Sequence, residues 1–174
     1  MKLKEPIIYL TFFMIPCAIF SQSTIAVTLP LVTLMDIEPA GTFTLNFTAP
    51  TEAGQALTVP PANTTKWVNY TSAIASGGLT RRITASINQL IPGVSIRIQA
   101  AAASGAGGGV LGTSSGLVTL STTATNIITG IGGAFTGTGA NNGHRLTISL
   151  AVSTYANLSA HTNTPIVITY TITE

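Results

Sequence analysis

The sequence has few charged side chains, few histidines and a single cysteine. Asp, Glu, Lys and Arg make up 7% of its 174 residues, whereas a soluble domain typically carries about 25%. With 2 His and 1 Cys, the chain lacks the clustered ligands of a zinc site. Its 7 basic residues are too few for the basic patch that a nucleic-acid partner requires. We therefore expect no metal, no cofactor and no nucleic-acid partner.

The N-terminus has the layout of a secretory signal peptide. Lys2 and Lys4 form a basic start, and an apolar stretch of 14 residues follows at 7–20. This stretch is too short for a membrane-spanning helix, which needs about 20 apolar residues. We expect cleavage between Ser21 and Gln22, which leaves no membrane span. A lipid anchor on Cys17 is the alternative, but Pro16 is a poor fit to the small residue expected before it.

The expected mature chain, residues 22–174, is a single domain without a disulfide. Removal of residues 1–21 takes away the only cysteine, 2 of the 7 basic residues and 1 of the 5 acidic residues. About 150 residues can bury roughly two thirds of their unfolded surface without cross-links. The neighbouring Arg81 and Arg82 are expected to lie at the surface and to aid solubility.

Alternation of apolar with polar residues predicts an all-β fold. In segment 41–48, Phe43, Leu45 and Phe47 alternate with Thr and Asn, which is typical of a strand with one buried face. Similar patterns predict strands at 25–31, 41–48, 66–72, 80–89, 94–101, 116–120, 126–131, 144–155 and 165–173. About nine short strands separated by Pro and Gly turns favour an immunoglobulin-like or jelly-roll β-sandwich.

The apolar faces of these strands predict the core, and one glycine-rich run predicts a loop. The predicted core residues are Leu29, Leu31, Phe43, Leu45, Phe47, Trp67, Ile83, Ile87, Ile96, Ile98, Leu120, Ile128, Leu146, Ile148, Leu150, Ile166, Ile168 and Tyr170. Residues 100–112 consist mainly of alanine and glycine, and this low complexity predicts a mobile loop between strands.

Three segments, at 67–72, 130–143 and 166–172, resemble uncharacterised secreted proteins of Bacteroidetes. The end of the apolar stretch, Phe20-Ser21-Gln22, also looks typical of that phylum. The strand layout and the alternating C-terminal strand are similar to spore coat protein U and chaperone-usher pilin-type subunits, which are immunoglobulin-like. The chain departs from pilins in lacking a cysteine pair and in placing Tyr170 before the penultimate position. The resemblance implies transit through the periplasm and a fimbrial-like role at the surface.

One pair of carboxylates has a spacing compatible with catalysis. Asp36 and Glu38 lie two residues apart, so on a strand both would project from one face, as in paired-carboxylate glycoside chemistry. Because they follow the first predicted strand and precede Pro39, a solvated turn or the edge of a sheet is the favoured interpretation. His144 and His161 have no ligand partners at suitable spacing. We expect both histidines to face solvent, and we expect no catalytic site.

Two aromatic residues are candidates for glycan contact. Trp67 and Tyr70 offer flat rings that can stack on a sugar. Because they lie three residues apart, they point to opposite faces of one strand. The favoured arrangement places Trp67 in the core and Tyr70 outside.

The beginning of the expected mature chain is a candidate for self-association. Ile25, Val27, Leu29 and Leu31 form one apolar face. Pro30 lacks an N–H group, which favours a position at the edge of a sheet. Such a strand can pair within its own fold or be donated to a neighbour. We expect this strand to mediate self-association.

The pattern as a whole predicts a secreted or outer-surface structural or adhesive subunit, as part of a fibre or a surface layer. A surface rich in Thr, Ser, Asn and Gly can pack laterally without charge repulsion. The expected partners are copies of the chain itself or other surface proteins. The alternative is a carbohydrate- or matrix-binding module whose partner is a glycan.

Overall fold

A computed structural model describes residues 22–162 and 164–174 of the chain. Within them the fold is almost entirely β, with a single 3-10 turn at Tyr155–Asn157. The strands are β1 (Val32–Glu38), β2 (Asn63–Ala73), β3 (Arg81–Ile87), β4 (Val94–Ser104), β5 (Gly108–Ser114), β6 (Leu117–Thr119), β7 (Thr125–Phe135), β8 (Gly143–Val152) and β9 (Ile168–Thr173). The predicted all-β class is confirmed. The expected signal peptide, residues 1–21, lies outside the described residues.

Hydrogen bonds join the strands into one antiparallel, 9-stranded network. One group has the order β6-β4-β8-β2-β1, and the other has the order β5-β7-β3-β9. The two groups meet where Thr71 and Ser72 of β2 pair with Phe135 and Ala134 of β7. The network is therefore continuous and does not divide into the two separate sheets of the predicted sandwich.

The core lies against the inward faces of β2, β3, β4, β7 and β8. In β8, for example, Leu146 and Ile148 are 0% and 1% exposed, because alternate residues of a strand point to the same side. The predicted core residues that are buried are Ile83, Ile87, Ile96, Ile98, Leu120, Ile128, Leu146 and Ile148. Those that pack half-buried against the core are Phe43, Leu45, Leu150, Ile166, Ile168 and Tyr170.

The first predicted strand, 25–31, is wrong for a single copy of the chain. Residues 22–31 form no strand, and β1 begins at Val32. Leu29 and Leu31 are 83% and 67% exposed, so they are not core residues. Because β1 already occupies the edge of β2 from Val32 to Glu38, that edge offers the preceding segment no partner.

The prediction for segment 41–48 is right about the side chains and wrong about the pairing. Phe43, Leu45 and Phe47 are half-buried while Thr44 is exposed, so the alternation marks the inward face. The segment does not join the sheet as a strand, however, and its one bridge links Thr48 to Thr58.

The glycine-rich run 100–112 is not a loop. Strand β4 continues to Ser104, and β5 starts at Gly108 after a three-residue turn. Gly109 has a positive φ of 88°, and a side chain there would collide with the carbonyl of Gly133 on β7. Glycine in this run therefore allows two backbones to approach closely, which low complexity alone does not reveal.

Candidate functional site

The described part of the chain contains an apolar groove of about 1340 Å³. Ile96, Ile148 and Leu150, from β4 and β8, form its base. One wall is the extended segment 39–47, and the other is formed by residues 164–168 and Tyr170 of β9 and its approach. The groove is thus an opening in the core between the two groups of strands.

Lys66 anchors the first wall. Its ammonium group donates hydrogen bonds to the carbonyl oxygens of Pro39 at 2.5 Å and Gly41 at 2.8 Å. The side chain is only 6% exposed, because Lys66 lies on the inward face of β2. A lysine in such a position can bury its aliphatic stem while its ammonium group keeps polar partners. The segment that starts at Pro39 is therefore held against β2 at its beginning.

Beyond this anchor, the wall has an unpaired backbone. The described residues provide no hydrogen-bond partner for the backbone groups of residues 42–47. Unpaired N–H and C=O groups of an extended segment form a template for another strand. The first wall is thus an extended segment whose backbone has no pairing partner among the described residues.

The second wall, β9, also has an open edge. Residues 168–173 pair with residues 82–87 of β3 on one side. On its other side β9 has no strand partner among the described residues. Ile168, Tyr170 and Ile172 are half-buried, while Thr169 and Thr171 are exposed. Burial raises the pKa of the Tyr170 hydroxyl. None of the described residues of this wall carries a charged side chain.

Residues 22–31, which precede β1, expose four large apolar side chains. Ile25, Val27, Leu29 and Leu31 are 81%, 84%, 83% and 67% exposed. Scattered apolar residues at a protein surface are normal, but a contiguous set marks an interaction site. The prediction that these four residues mediate self-association is compatible with this exposure.

Arg81 determines where that segment leaves the fold. Its guanidinium donates hydrogen bonds to the carbonyl oxygen of Val32 at 2.5 Å and to the hydroxyl oxygen of Ser72 at 3.0 Å. Arg81 is only 5% exposed, so the prediction of a solvated pair is wrong for Arg81, whereas Arg82 is exposed. The reason is that Arg81 lies on the inward face of β3 together with Ile83.

Tyr70 and His144 form a buried polar cluster. The Tyr70 hydroxyl lies 3.0 Å from Nε2 of His144 and also donates to the carbonyl of Leu111. Nδ1 of His144 lies 2.8 Å from the carbonyl oxygen of Ala101. The cluster therefore connects β2, β8, β5 and β4. Burial raises the pKa of the Tyr70 hydroxyl.

These positions correct three predictions. His144 is 0% exposed and does not face solvent, because it lies on the inward face of β8 with Leu146. Tyr70 is 3% exposed and Trp67 is half-buried, the reverse of the expected arrangement. The inward face of β2 is the one shared by Lys66 and Tyr70. Tyr70 is thus inaccessible to a glycan in this fold.

The remaining candidates lie apart from the groove or at its rim. Asp36 and Glu38 belong to β1, opposite Asn69 and Trp67 of β2, and not to a turn. Among the described residues β1 pairs only with β2, so the expectation that they mark a sheet edge is confirmed. His161 is exposed as expected and lies at the rim of the groove. Among residues 22–162 and 164–174, no three His, Cys, Asp or Glu side chains come together in a way that could hold a metal ion.

The sequence did not indicate the groove, and it suggested nothing about the burial of Lys66, Arg81 and His144. Each of these three side chains lies at an inward position of its strand. Each lies two residues before a buried apolar residue, namely Val68, Ile83 and Leu146, so a strict alternation of inward and outward positions could have predicted their burial. The groove itself has no local signal, because its walls are more than a hundred residues apart in the chain.

Comparison with protein-family models, curated proteins and solved structures finds no match to this chain. In the part of the chain that the structure describes, no helix is both long and apolar enough to cross a membrane.

Proposed function

We propose that the protein is an exported structural subunit of the cell surface that self-associates through residues 25–31. The observation that carries this proposal is the exposure of four alternating apolar side chains ahead of β1, at 67% to 84%. Water contact with such a surface is unfavourable by about 25 cal/mol per Å². A partner that covers this face relieves that cost.

The composition of the surface supports the same role. Only 7% of the residues are charged, so copies can approach one another with little electrostatic repulsion. The basic start and apolar stretch of residues 1–20 support export. In transit such a subunit crosses the periplasm and then remains at the outer surface or is released.

The test compares two substitutions that add the same charge to opposite faces of the segment. Leu29→Asp places a carboxylate on the apolar face, and we expect it to abolish oligomers, since burying an unpaired charge is costly. Thr28→Asp is the matched control, because Thr28 is exposed and alternates with the apolar side chains. We expect Thr28→Asp to leave the oligomers intact.

Light scattering of the exported protein measures the oligomer mass, and circular dichroism shows that each variant is folded. Both substitutions lie in an exposed segment outside the strands, so neither should alter the fold. Absence of oligomers in the unaltered protein would contradict the proposal. Oligomers that survive Leu29→Asp, or that are lost equally in both variants, would also contradict it.

A further inference from the structure

We infer that the groove between segment 39–47 and β9 is the acceptor for residues 25–31 of a second copy of the chain. This inference rests on the proposed self-association and identifies the surface on which it occurs. The occupant is an extended strand that lies between the two walls and turns its apolar face toward the core.

The backbones of both walls fit an inserted strand. Residues 42–47 have no hydrogen-bond partner within the described residues, and β9 is paired only on the β3 side. A strand placed along either wall can form a ladder with its free backbone groups, which an ordinary surface contact cannot do. Each ladder satisfies N–H and C=O groups that are otherwise left to water.

The side chains of the groove match those of the segment. The base and walls present Phe43, Leu45, Ile148, Ile168 and Tyr170, so the lining is mostly apolar. Residues 25–31 carry no charged side chain, so their insertion would bury no unpaired charge. The only Lys or Arg in the lining is Lys66, and its ammonium already donates to two backbone carbonyls.

The lengths also agree. At about 3.3 Å per residue, the apolar face from Ile25 to Leu31 spans roughly 20 Å as an extended strand. The approach to β9 and β9 itself line the groove from Thr164 to Tyr170, which is the same number of residues. A single extended strand of this length therefore matches the wall formed by residues 164–170.

The segment of the same copy is a poor occupant because no turn precedes β1. To return toward the groove of its own fold, the chain would have to reverse at residues 30–33. These are Pro-Leu-Val-Thr, whereas tight hairpins require Gly, Asn or Asp at their central positions. Val32 is moreover held in β1 by its pairing with Ala73 and by Arg81. The occupant is consequently a second copy.

The arrangement makes the contact head-to-tail. The segment leaves the fold at Val32, where β1 begins, while the groove wall starts at Ile37 and Pro39, where β1 ends. Donor and acceptor are different surfaces, so the same contact can be repeated from copy to copy. Such contacts generate rings or open filaments.

Photo-crosslinking tests the acceptor directly. A benzophenone side chain replaces Thr44, which is exposed and lines the groove. In a second variant it replaces Val110 on β5, which is 59% exposed and represents a rival acceptor, since β5 pairs only with β7. Each variant is unfolded and refolded together with an excess of ¹⁵N-labelled unaltered protein, so that neighbouring copies are labelled, and is then illuminated and digested for mass spectrometry.

We expect the variant at position 44 to form an adduct with ¹⁵N-labelled peptide from residues 22–31, and the variant at position 110 to form none. Leu29→Asp in the labelled protein should abolish the adduct, and Thr28→Asp should retain it. If adducts with residues 22–31 form only at position 110, or at neither position, the groove is not the acceptor, although self-association itself is not contradicted. Unlabelled adducts alone show that a chain fills its own groove, and they overturn the second copy as the occupant. If light scattering finds no oligomers before cross-linking, the earlier proposal of self-association is refuted instead.

Discussion

Replacement of Leu45 by alanine tests whether segment 41–48 packs against the core without belonging to the sheet. Leu45 is half-buried and packs on the buried core, whereas its neighbour Thr44 is exposed. Full burial of a leucine makes Leu→Ala cost about 2–5 kcal/mol. Half of that burial implies a loss of about 1–2.5 kcal/mol in the free energy of unfolding. Thr44→Ala should change it by less than about 0.5 kcal/mol.

The assay is urea denaturation of the exported protein, followed by circular dichroism at several protein concentrations. At low concentration, where single copies dominate, the two variants should differ as stated. At high concentration an occupied groove would bury Leu45 further, so its loss should approach the full range of about 2–5 kcal/mol. Equal costs for Leu45→Ala and Thr44→Ala would refute the alternation in this segment. A negligible cost for both would show that the segment does not pack on the core.

Three further predictions concern processing, pH and close packing. Mass spectrometry of the exported protein should find its N-terminus at Gln22, and retention of residues 1–21 would contradict the signal peptide. Burial raises the pKa of Tyr70 above its ordinary value of 10.0, so its contribution to stability is complete below pH 10 and falls as pH rises further. The loss is up to about 1.4 kcal/mol per pH unit, and denaturation at several alkaline pH values should show a shallower decline for Tyr70→Phe. Gly109→Ala should lower the thermal midpoint because the added methyl group meets the carbonyl of Gly133, and an unchanged midpoint would argue against this close approach.

The sequence by itself determined the class of fold and the direction of most side chains. Alternate residues of an extended chain point to opposite sides whatever the chain pairs with. For this reason Ile83, Ile98 and Ile148 were correctly predicted to be buried. The same rule gave the correct inward face of segment 41–48, although this segment does not pair with a neighbouring strand. Local patterns of this kind depend only on neighbouring residues, so they can be read before the fold is known.

Only the tertiary structure decided which edges are occupied and which stay open. The pattern at Ile25 to Leu31 is as regular as that of a core strand, yet these side chains are exposed, because β1 already covers the edge of β2. The burial of Lys66 depends in the same way on two carbonyl groups that the chain brings back from residues 39 and 41. The groove arises where segment 39–47 meets β9 without pairing. Such pairings join residues far apart in the chain, and no local pattern specifies them, since one apolar face fits any apolar neighbour equally well.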